Sequence, residues 1–333
     1  MSVVSNRVCA SPKVSVAMIT YNHERYIAQA VTSVLNQQTS FPFEIVVGDD
    51  CSTDGTRDIL RELAAKNPDR VRLLFHEKNL GQCGKLNLVA TIGQCTGDYV
   101  ALLEGDDFWN ATDKLQKQAA FLDANSDCSG CCHDVWTLFP DGRVDGYPQP
   151  FPPACTRLGP AEVLAHGFPL TSSILYRRGI FGPFPDWYFE MVMGDWPLSV
   201  LCMGKKPFGF LRGEFLSTYR VHPGSYWNNR PLVNRTLEEI KAFEAFGRFL
   251  GPKFDRLVQL QLNRRQFYLA YGYDEQGDGR SARTAFRRFL RGYPRHRSVS
   301  GRAVARLGFK LAAPGLFSGF KTWYDRRRQA GRS

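Results

Sequence analysis

Three carboxylates stand together near the middle of the chain, where a buried segment ends. Residues 98–104 are mostly apolar and β-prone and end in Glu104, and Gly105, Asp106 and Asp107 follow directly. Carboxylates this close repel one another unless a cation lies among them. Their hard oxygen atoms suit Mg²⁺ or Mn²⁺, ions that proteins use to hold substrate phosphates. Taken alone, the acids favour a simpler interpretation, a solvated turn that caps the next helix, so their context must decide.

Other polar turns follow the neighbouring predicted strands. A strand over 14–20 leads into Tyr21-Asn22-His23, and a strand over 43–48 ends in Asp49-Asp50. In an open α/β sheet, ligands bind in the crevice beyond the carboxyl ends of the strands. The turns and the acids therefore predict one polar crevice at this edge of the sheet.

Helical patterns alternate with the strands. Apolar residues recur at helical spacing in four segments, near 27–35, 56–63, 86–92 and 112–123, and a further strand covers 71–75. This β-α-β-α-β-α-β order predicts an α/β fold, a Rossmann-like, mostly parallel sheet flanked by helices. From Arg235 onward the pattern is helical. We expect a lead-in over 1–12, a catalytic domain over 13–230 and a helical basic C-terminal region over 231–333.

Composition and missing motifs exclude several classes of protein. With 43% hydrophobic and 23% charged residues, the chain has the composition of a folded globular protein. It has no Gly-x-Gly-x-x-Gly after the first strand, no P-loop and no Gly-x-Ser-x-Gly. Any phosphates must therefore be held by other means, for which a divalent cation on the acids is suited. The start lacks a secretory apolar segment, so a cytoplasmic location is expected.

Charge is distributed very unevenly along the chain. The net charge is +11, but residues 280–333 carry fifteen Lys/Arg and one acid, so the remainder sums to about −3. A basic end on a near-neutral body predicts an anionic partner surface. Trp, Phe and Leu residues lie among the cations from Arg302 to Tyr324, without the ~20 apolar residues that a bilayer span needs. We expect association with an anionic membrane surface and no nucleic-acid binding; a packed helix with a solvated basic face is the alternative.

Four segments, taken together, form a specific pattern: Val14-Ser-Val-Ala-Met-Ile-Thr-Tyr-Asn22, Glu44-Ile-Val-Val-Gly-Asp-Asp-Cys-Ser-Thr-Asp-Gly-Thr56, Asn79-Leu-Gly81 and Gly97-Asp-Tyr-Val-Ala-Leu-Leu-Glu-Gly-Asp-Asp107. In this order they resemble glycosyltransferase family 2. Members of that family are inverting, nucleotide-sugar-dependent enzymes of the GT-A fold. The resemblance covers roughly residues 13–225, and no diagnostic motif covers the last hundred residues.

The resemblance implies roles around the donor nucleotide. Residues expected to bind it are Thr20, Tyr21, Asn22, Glu24, Asp50, Lys85 and Asp106. Asp50 matches the acid that bonds the uracil ring, Lys85 a phosphate or base contact, and Asp106 a residue near the ribose. Asp107 matches the ligand of a Mn²⁺ or Mg²⁺ ion, with Glu104 in the first acidic place of the motif.

The resemblance also implies the residues that complete the reaction. Asp195 in Met193-Gly-Asp-Trp196 matches the catalytic base, although Gly194 stands where the family often has Glu. His222 matches a histidine that completes the metal shell. An inverting transfer needs a base on the acceptor hydroxyl and charge neutralisation on the leaving diphosphate, which explains two separate acid clusters. Alternatively, Asp195 caps a helix and His222 is a loop residue without a ligand role.

The expected function is transfer of a sugar, most simply from a UDP-sugar, to a hydroxyl of a glycan or lipid-linked saccharide. Such a reaction suits the synthesis of bacterial surface polysaccharides at the inner face of the plasma membrane. Two rivals remain at this point. One is a sugar nucleotidyltransferase, which would need a basic, glycine-rich loop after the first strand. The other is a non-catalytic adaptor for membrane or nucleic acid that retains a degenerate sugar-nucleotide domain.

Overall fold

The computed structural model describes residues 2–3, 11–147, 149, 151–180, 182–225, 227, 229–296 and 298–313. The chain divides into two compact units, residues 1–226 and residues 227–333. The predicted membrane segment falls partly outside the described residues, because its aromatic portion from Leu316 to Tyr324 lies there.

The first unit contains all the described strands and seven helices. The strands are β1 (Ser2–Val3), β2 (Val14–Thr20), β3 (Phe43–Asp49), β4 (Val71–Phe75), β5 (Tyr99–Glu104), β6 (Phe108–Trp109), β7 (Gly130–Leu138), β8 (Val144–Tyr147), β9 (Arg157–Leu158), β10 (Leu175–Arg177) and β11 (Phe208–Arg220). The helices are α1 (Ile27–Leu35), α2 (Thr56–Lys66), α3 (Lys85–Gly93), α4 (Lys114–Ala124), α5 (Pro160–His166), α6 (Asp186–Glu190) and α7 (Asp195–Met203).

The strands form one mixed sheet with a parallel half. Strands β4, β3, β2 and β5 lie side by side and run parallel. Strand β10 pairs antiparallel with β5 and with β7, and β7 runs parallel to β11. The short β6 pairs antiparallel with Ser217 and Thr218, near the end of β11. The predicted α/β class, a Rossmann-like sheet flanked by helices, is confirmed.

Burial explains why the central strands are almost continuously apolar. Strands β2 and β3 are covered on both faces, and all of their residues except Ile19 are buried. Such strands need apolar side chains at consecutive positions rather than at alternate ones. On one face, α1 packs against the sheet through Ile27, Ala30, Val31 and Val34, the positions that helical spacing predicts.

A buried carboxylate joins three strands near their amino ends. Glu44 of β3 is 0% exposed, and its oxygens accept hydrogen bonds from Ser15 Oγ (2.6 Å), Thr96 Oγ1 (2.7 Å) and an Arg72 guanidinium nitrogen (3.1 Å). Burial alone would raise the pKa of Glu44, but these hydrogen bonds outweigh it and hold the pKa below its usual value. The charged form of Glu44 therefore stabilises the folded sheet.

Replacing this carboxylate should destabilise the first unit in a pH-dependent way. Glu44→Gln is expected to cost about 1–3 kcal/mol near neutral pH, because the amide loses charge-assisted hydrogen bonds. Since the pKa of Glu44 is lowered on folding, this contribution is full above the unfolded value of about 4.5 and is lost as the pH falls further. Urea unfolding of both proteins at about pH 7, 5 and 3.5 measures the difference, which should shrink at the lowest pH. Glu62→Gln, at an exposed carboxylate of α2, is the control; equal losses in both variants would contradict the prediction.

The second unit is helical, as the pattern from Arg235 predicts. Its helices are α8 (Leu232–Leu250), α9 (Asp255–Glu275), α10 (Gly279–His296) and α11 (Gly301–Ala312). Among the large apolar residues that recur along α8, Phe243 and Phe246 are buried, whereas Leu237 is 40% and Phe249 39% exposed. Three of these helices reach 18 residues, but none of the described helices combines that length with the hydropathy of a bilayer-spanning segment.

Candidate active site

The turns after β2 and β3 are locked together by hydrogen bonds. Asn22 has φ +55°, in the left-handed region that asparagine tolerates, and its side-chain oxygen accepts from Thr53 N (2.8 Å). Glu24 Oε2 accepts from Gly55 N (3.0 Å). Tyr21, which precedes Asn22 in the chain, is 43% exposed. The predicted pocket residues Asn22 and Glu24 thus shape the rim of the crevice through contacts within the protein.

The two aspartates that end β3 have different partners. Asp49 is fully buried and forms an ion pair with the Arg57 guanidinium. Asp50 is 3% exposed, and its Oδ1 accepts from Leu80 N (2.7 Å) in the Asn-Leu-Gly turn. Burial raises the pKa of Asp50 above its ordinary value. Asp49 therefore stabilises its own turn, whereas Asp50 fixes the neighbouring turn at the crevice.

The turn that carries the central acids, residues 105–107, lies in direct contact with the turn after β2. A Cβ atom at Gly105 would lie 2.7 Å from Thr20 Oγ1 and 3.0 Å from His23 Nδ1, so only glycine fits. Both of these atoms are buried and have no hydrogen-bond partner within the described residues. Buried polar atoms without partners are unusual and mark places where a ligand or water completes the bonding. Thr20 and His23 thus have unused hydrogen-bonding capacity beside the acids.

Asp106 lies between two histidines. Its Oδ2 is 2.9 Å from His222 Nε2 and 3.7 Å from His23 Nε2. Since Gly224 N donates to His222 Nδ1 (3.2 Å), the hydrogen-bond network assigns the proton to Nε2, which donates to Asp106. Burial alone would raise the pKa of Asp106. The hydrogen bond from His222 and the nearby His23 outweigh burial and hold this pKa below its usual value. His222 therefore contacts the acidic motif through Asp106.

Asp107 is 2% exposed and is bound by the backbone at the end of β11. Its Oδ1 accepts from Arg220 N (2.8 Å), while Arg220 Nε donates to the Asp106 carbonyl oxygen (2.9 Å). Burial, followed by the charges of Asp106 and Glu104, raises the pKa of Asp107 well above its ordinary value. Within the described ranges, no three His, Cys, Asp or Glu side chains already stand arranged to hold a metal ion.

Asp195 lies close to this acidic cluster although about ninety residues separate it from Glu104 in the chain. Gly194 occupies the N-cap position of α7, so Asp195 is its first helical residue and not its cap. Burial, followed by the charges of Asp106 and Asp195, raises the pKa of Glu104 to about 8. Burial also raises the pKa of Asp195. The two acid clusters that the sequence predicts separately therefore share one crevice, and Glu104 interacts with both.

Lys85 is buried and binds backbone carbonyl groups of the protein itself. It is 1% exposed, and its ammonium donates to the backbone carbonyls of Tyr188 (3.1 Å), Phe189 (2.8 Å) and Met191. Burial lowers the pKa of Lys85 to about 8. In this arrangement Lys85 fixes the segment that leads from α6 to Asp195. Contact with a phosphate would require the ammonium to leave these carbonyls.

Sequence reasoning did not assign roles to His23 and Arg220. Both stand beside residues that it did single out, His23 next to the Thr-Tyr-Asn turn and Arg220 two positions before His222. Their roles depend on contacts across the sheet, which local sequence does not reveal. Glu104 was recognised as part of the acidic motif, but its interaction with Asp195 follows only from the fold.

Removing the Lys85 ammonium should loosen the segment that carries Asp195. Lys85→Met removes the ammonium that donates to three backbone carbonyls of this segment, so faster hydrogen–deuterium exchange is expected over residues 186–195, by about tenfold or more. Mass spectrometry of exchange resolves this segment. Lys78→Met, at an exposed lysine of the preceding turn, is the matched control and should change nothing there. Unchanged exchange in Lys85→Met would show that the segment does not depend on these hydrogen bonds.

Comparison with known proteins places this site in a family. The family model "Glycosyl transferase family 2" matches residues 15–181. An uncharacterized protein of Mycobacterium tuberculosis is 34% identical over 254 residues, which are 76% of this chain and 70% of that protein.

Two solved structures share the fold. Staphylococcus aureus TarS 1–349, in complex with UDP-GlcNAc, superposes with a TM-score of 0.55 at 19% identity, covering 96% of this chain and 92% of that one. The mannosyltransferase PcManGT of Pyrobaculum calidifontis, in complex with GDP-Man and Mn²⁺, superposes with a TM-score of 0.56 at 18% identity, covering 97% and 86%. The GT-A fold, the family match over the sheet and its acidic edge, and the mycobacterial relative show that the chain belongs to glycosyltransferase family 2 and is a glycosyltransferase.

Proposed function

We propose that this glycosyltransferase moves a sugar, with inversion, from a UDP-sugar to a hydroxyl of a glycan or lipid-linked saccharide. The observation that carries the proposal is the shared crevice, in which Glu104 interacts with Asp106 and with Asp195. One end of the crevice is then suited to the leaving diphosphate and the other to the acceptor. A uridine donor is favoured because TarS binds UDP-GlcNAc, and PcManGT with GDP-Man makes guanosine the alternative.

A divalent cation, Mn²⁺ or Mg²⁺, fits the donor set of the crevice. Asp107, Glu104 and Asp195 all have raised pKa values, chiefly because burial removes water from each carboxyl group, and the described residues offer none of them an ion pair. Asp107 and His222, which follows β11 and contacts the neighbouring Asp106, form the proposed ligand set. When bound, the ion would supply positive charge opposite the leaving diphosphate. His222 would first have to release its hydrogen bond to Asp106.

The remaining residues of this end would position the donor nucleotide. Asp50 is proposed to accept a hydrogen bond from the base, since it is held at the crevice by the Asn-Leu-Gly turn. Thr20 and Tyr21 would line the pocket between base and ribose, with the unpartnered Thr20 Oγ1 available to the nucleotide. Asp106, fixed between His23 and His222, would bond the ribose hydroxyls.

Asp195 is proposed to act as the general base. It would accept the proton of the acceptor hydroxyl while that oxygen attacks the anomeric carbon from the face opposite the diphosphate. Burial raises the pKa of Asp195, which makes its carboxylate a stronger base than a solvated aspartate. The hydrogen bonds of Lys85 to the preceding segment hold the base in place.

Loss of the proposed metal ligand should abolish metal-dependent nucleotide binding. Asp107→Asn keeps the oxygen that accepts from Arg220 N, so the fold should survive while the affinity for UDP in Mn²⁺ falls by about tenfold or more. Calorimetry with UDP, GDP, TDP and CDP, each with and without Mn²⁺, measures the affinity and identifies the base. Asp58→Asn, at an exposed aspartate of α2, is the control. Equal affinities with and without Mn²⁺ in the unmodified protein would refute the metal proposal.

Loss of the proposed base should separate binding from turnover. Asp195→Asn is expected to lower turnover by about 10²-fold or more, because the amide cannot accept the proton, while nucleotide affinity stays unchanged. Transfer from radiolabelled UDP-sugars to cell-envelope acceptors measures turnover, and calorimetry measures affinity. Near-normal turnover by Asp195→Asn would contradict its role as the base.

The family assignment disfavours a sugar nucleotidyltransferase, whose glycine-rich basic loop the turn after β2 also lacks. A degenerate domain used as an adaptor would bind none of the nucleotides in the calorimetric screen.

We also propose that residues 13–230 form the catalytic domain and that the basic region, residues 231–333, holds the enzyme at the inner face of the plasma membrane. There it would meet lipid-linked acceptors for a surface polysaccharide.

A further inference from the structure

Arginines recur along one helix of the second unit. In α10 (Gly279–His296) four of them are spaced four residues apart, which places them along one slowly winding stripe. They are Arg283, Arg287, Arg291 and Arg295. The stripe extends over about 18 Å of helix, at 1.5 Å per residue.

These arginines lie in a region without acids. Residues 279–313 contain ten Lys/Arg and no Asp or Glu. All four arginines of the stripe are exposed, and within the described part of the chain none of them forms an ion pair. Asp278, the nearest acid in sequence, accepts from Ser281 N (3.0 Å) at the start of the helix. Like charges four residues apart on a helix are unfavourable, so the stripe costs stability that an anionic partner would recover.

The opposite face of α10 packs into the hydrophobic core of the second unit. Ala282, Ala285, Phe286 and Phe289 are buried in a core that α9 and α11 complete. The Phe289 ring lies 5.2 Å from the Phe267 ring of α9. The four arginine side chains are therefore not part of this core, and they can be changed without disturbing it.

Apolar side chains are exposed beside the cations. Leu290 of α10 is 42% exposed next to Arg291, and Phe309 of α11 is 46% exposed. On α11, Arg302 and Arg306 are exposed as well, while Leu307 packs into the shared core. Guanidinium groups bind phosphate through paired hydrogen bonds, and exposed Leu and Phe side chains beside them suit the headgroup region of a bilayer.

We propose that the stripe of Arg283, Arg287, Arg291 and Arg295 on α10 binds the phosphate headgroups of an anionic lipid bilayer. The proposal rests on the membrane location proposed above and assigns it to one helix face of the second unit. The expectation drawn from sequence stressed the mixed cationic and apolar residues from Arg302 to Tyr324 within the basic C-terminal region. A nucleic acid is the other polyanion that such a stripe could bind. The exposed Leu290 favours the bilayer, because an apolar side chain beside the cations is not needed to bind a nucleic acid.

The test compares two triple variants of the full-length protein with equal loss of charge. One is Arg283→Gln/Arg287→Gln/Arg291→Gln on the stripe. The other is Arg248→Gln/Lys253→Gln/Arg256→Gln, at exposed positions from α8 to α9 in the same unit. Point substitutions are preferred to truncation because Leu307 and Leu311 of α11 belong to the core. Cosedimentation with vesicles of 30% phosphatidylglycerol in phosphatidylcholine measures binding at physiological salt.

The stripe variant should lose about 100-fold in vesicle affinity, since each cation near such a surface contributes about fivefold, while the control variant loses less than about threefold. Equal losses in both variants would overturn the proposal, because net charge alone would then explain binding. Unchanged binding by the stripe variant would overturn it too. A loss confined to a single-stranded RNA probe, with vesicle binding intact, would assign the stripe to nucleic acid. Nucleotide affinity, measured in parallel by calorimetry, tests the catalytic proposal separately from the membrane one.

Discussion

The close approach of the β2 and β5 turns at Gly105 determines the geometry of the whole crevice. A side chain at this position would collide with Thr20 and His23, so glycine lets the acidic turn lie directly against the first polar turn. Gly105 N also donates to the Ile19 carbonyl (2.8 Å), which extends the pairing of the two strands by one more bond. As a result, Asp106 comes within reach of His23, and the two turns act as one rigid edge.

Strand β11, which lies more than a hundred residues after the acidic turn in the chain, supplies the remaining contacts at this edge of the crevice. Strand β11 pairs with β6 so that Thr218 lies opposite Phe108, immediately after the acidic pair. The two residues that follow Thr218 bring Arg220 to both aspartates, and His222 then reaches Asp106. The pairing with β7 shifts register twice along β11, so the position of Arg220 depends on these irregularities. The contacts of Arg220 with the two aspartates therefore depend on the register of β11 as well as on its sequence.

Local sequence predicts the fold of the central sheet well, because the physical signals there are local. Strands β2 and β3 are buried on both faces and consist of unbroken apolar runs, and α1 shows its core face through regular spacing. Asp49 and Asp50, by contrast, look equivalent in sequence and have different roles, since Arg57 reaches one of them from the next helix. The position of Lys85 was also unpredictable, because its partners are carbonyl groups about a hundred residues away, which carry no sequence signal.

The basic side chains near the acids of the crevice are already engaged within the protein, which supports the divalent cation proposed for this site. Arg57 is paired with Asp49, and Lys85 is committed to three backbone carbonyls. Arg220 binds Asp107 through its backbone amide, while its guanidinium donates to a carbonyl and to Gln29. The acids of the crevice thus remain short of positive charge in a poorly solvated place, where like charges repel strongly. A diphosphate would add to this repulsion, so donor and cation should each bind better in the presence of the other, by the same factor.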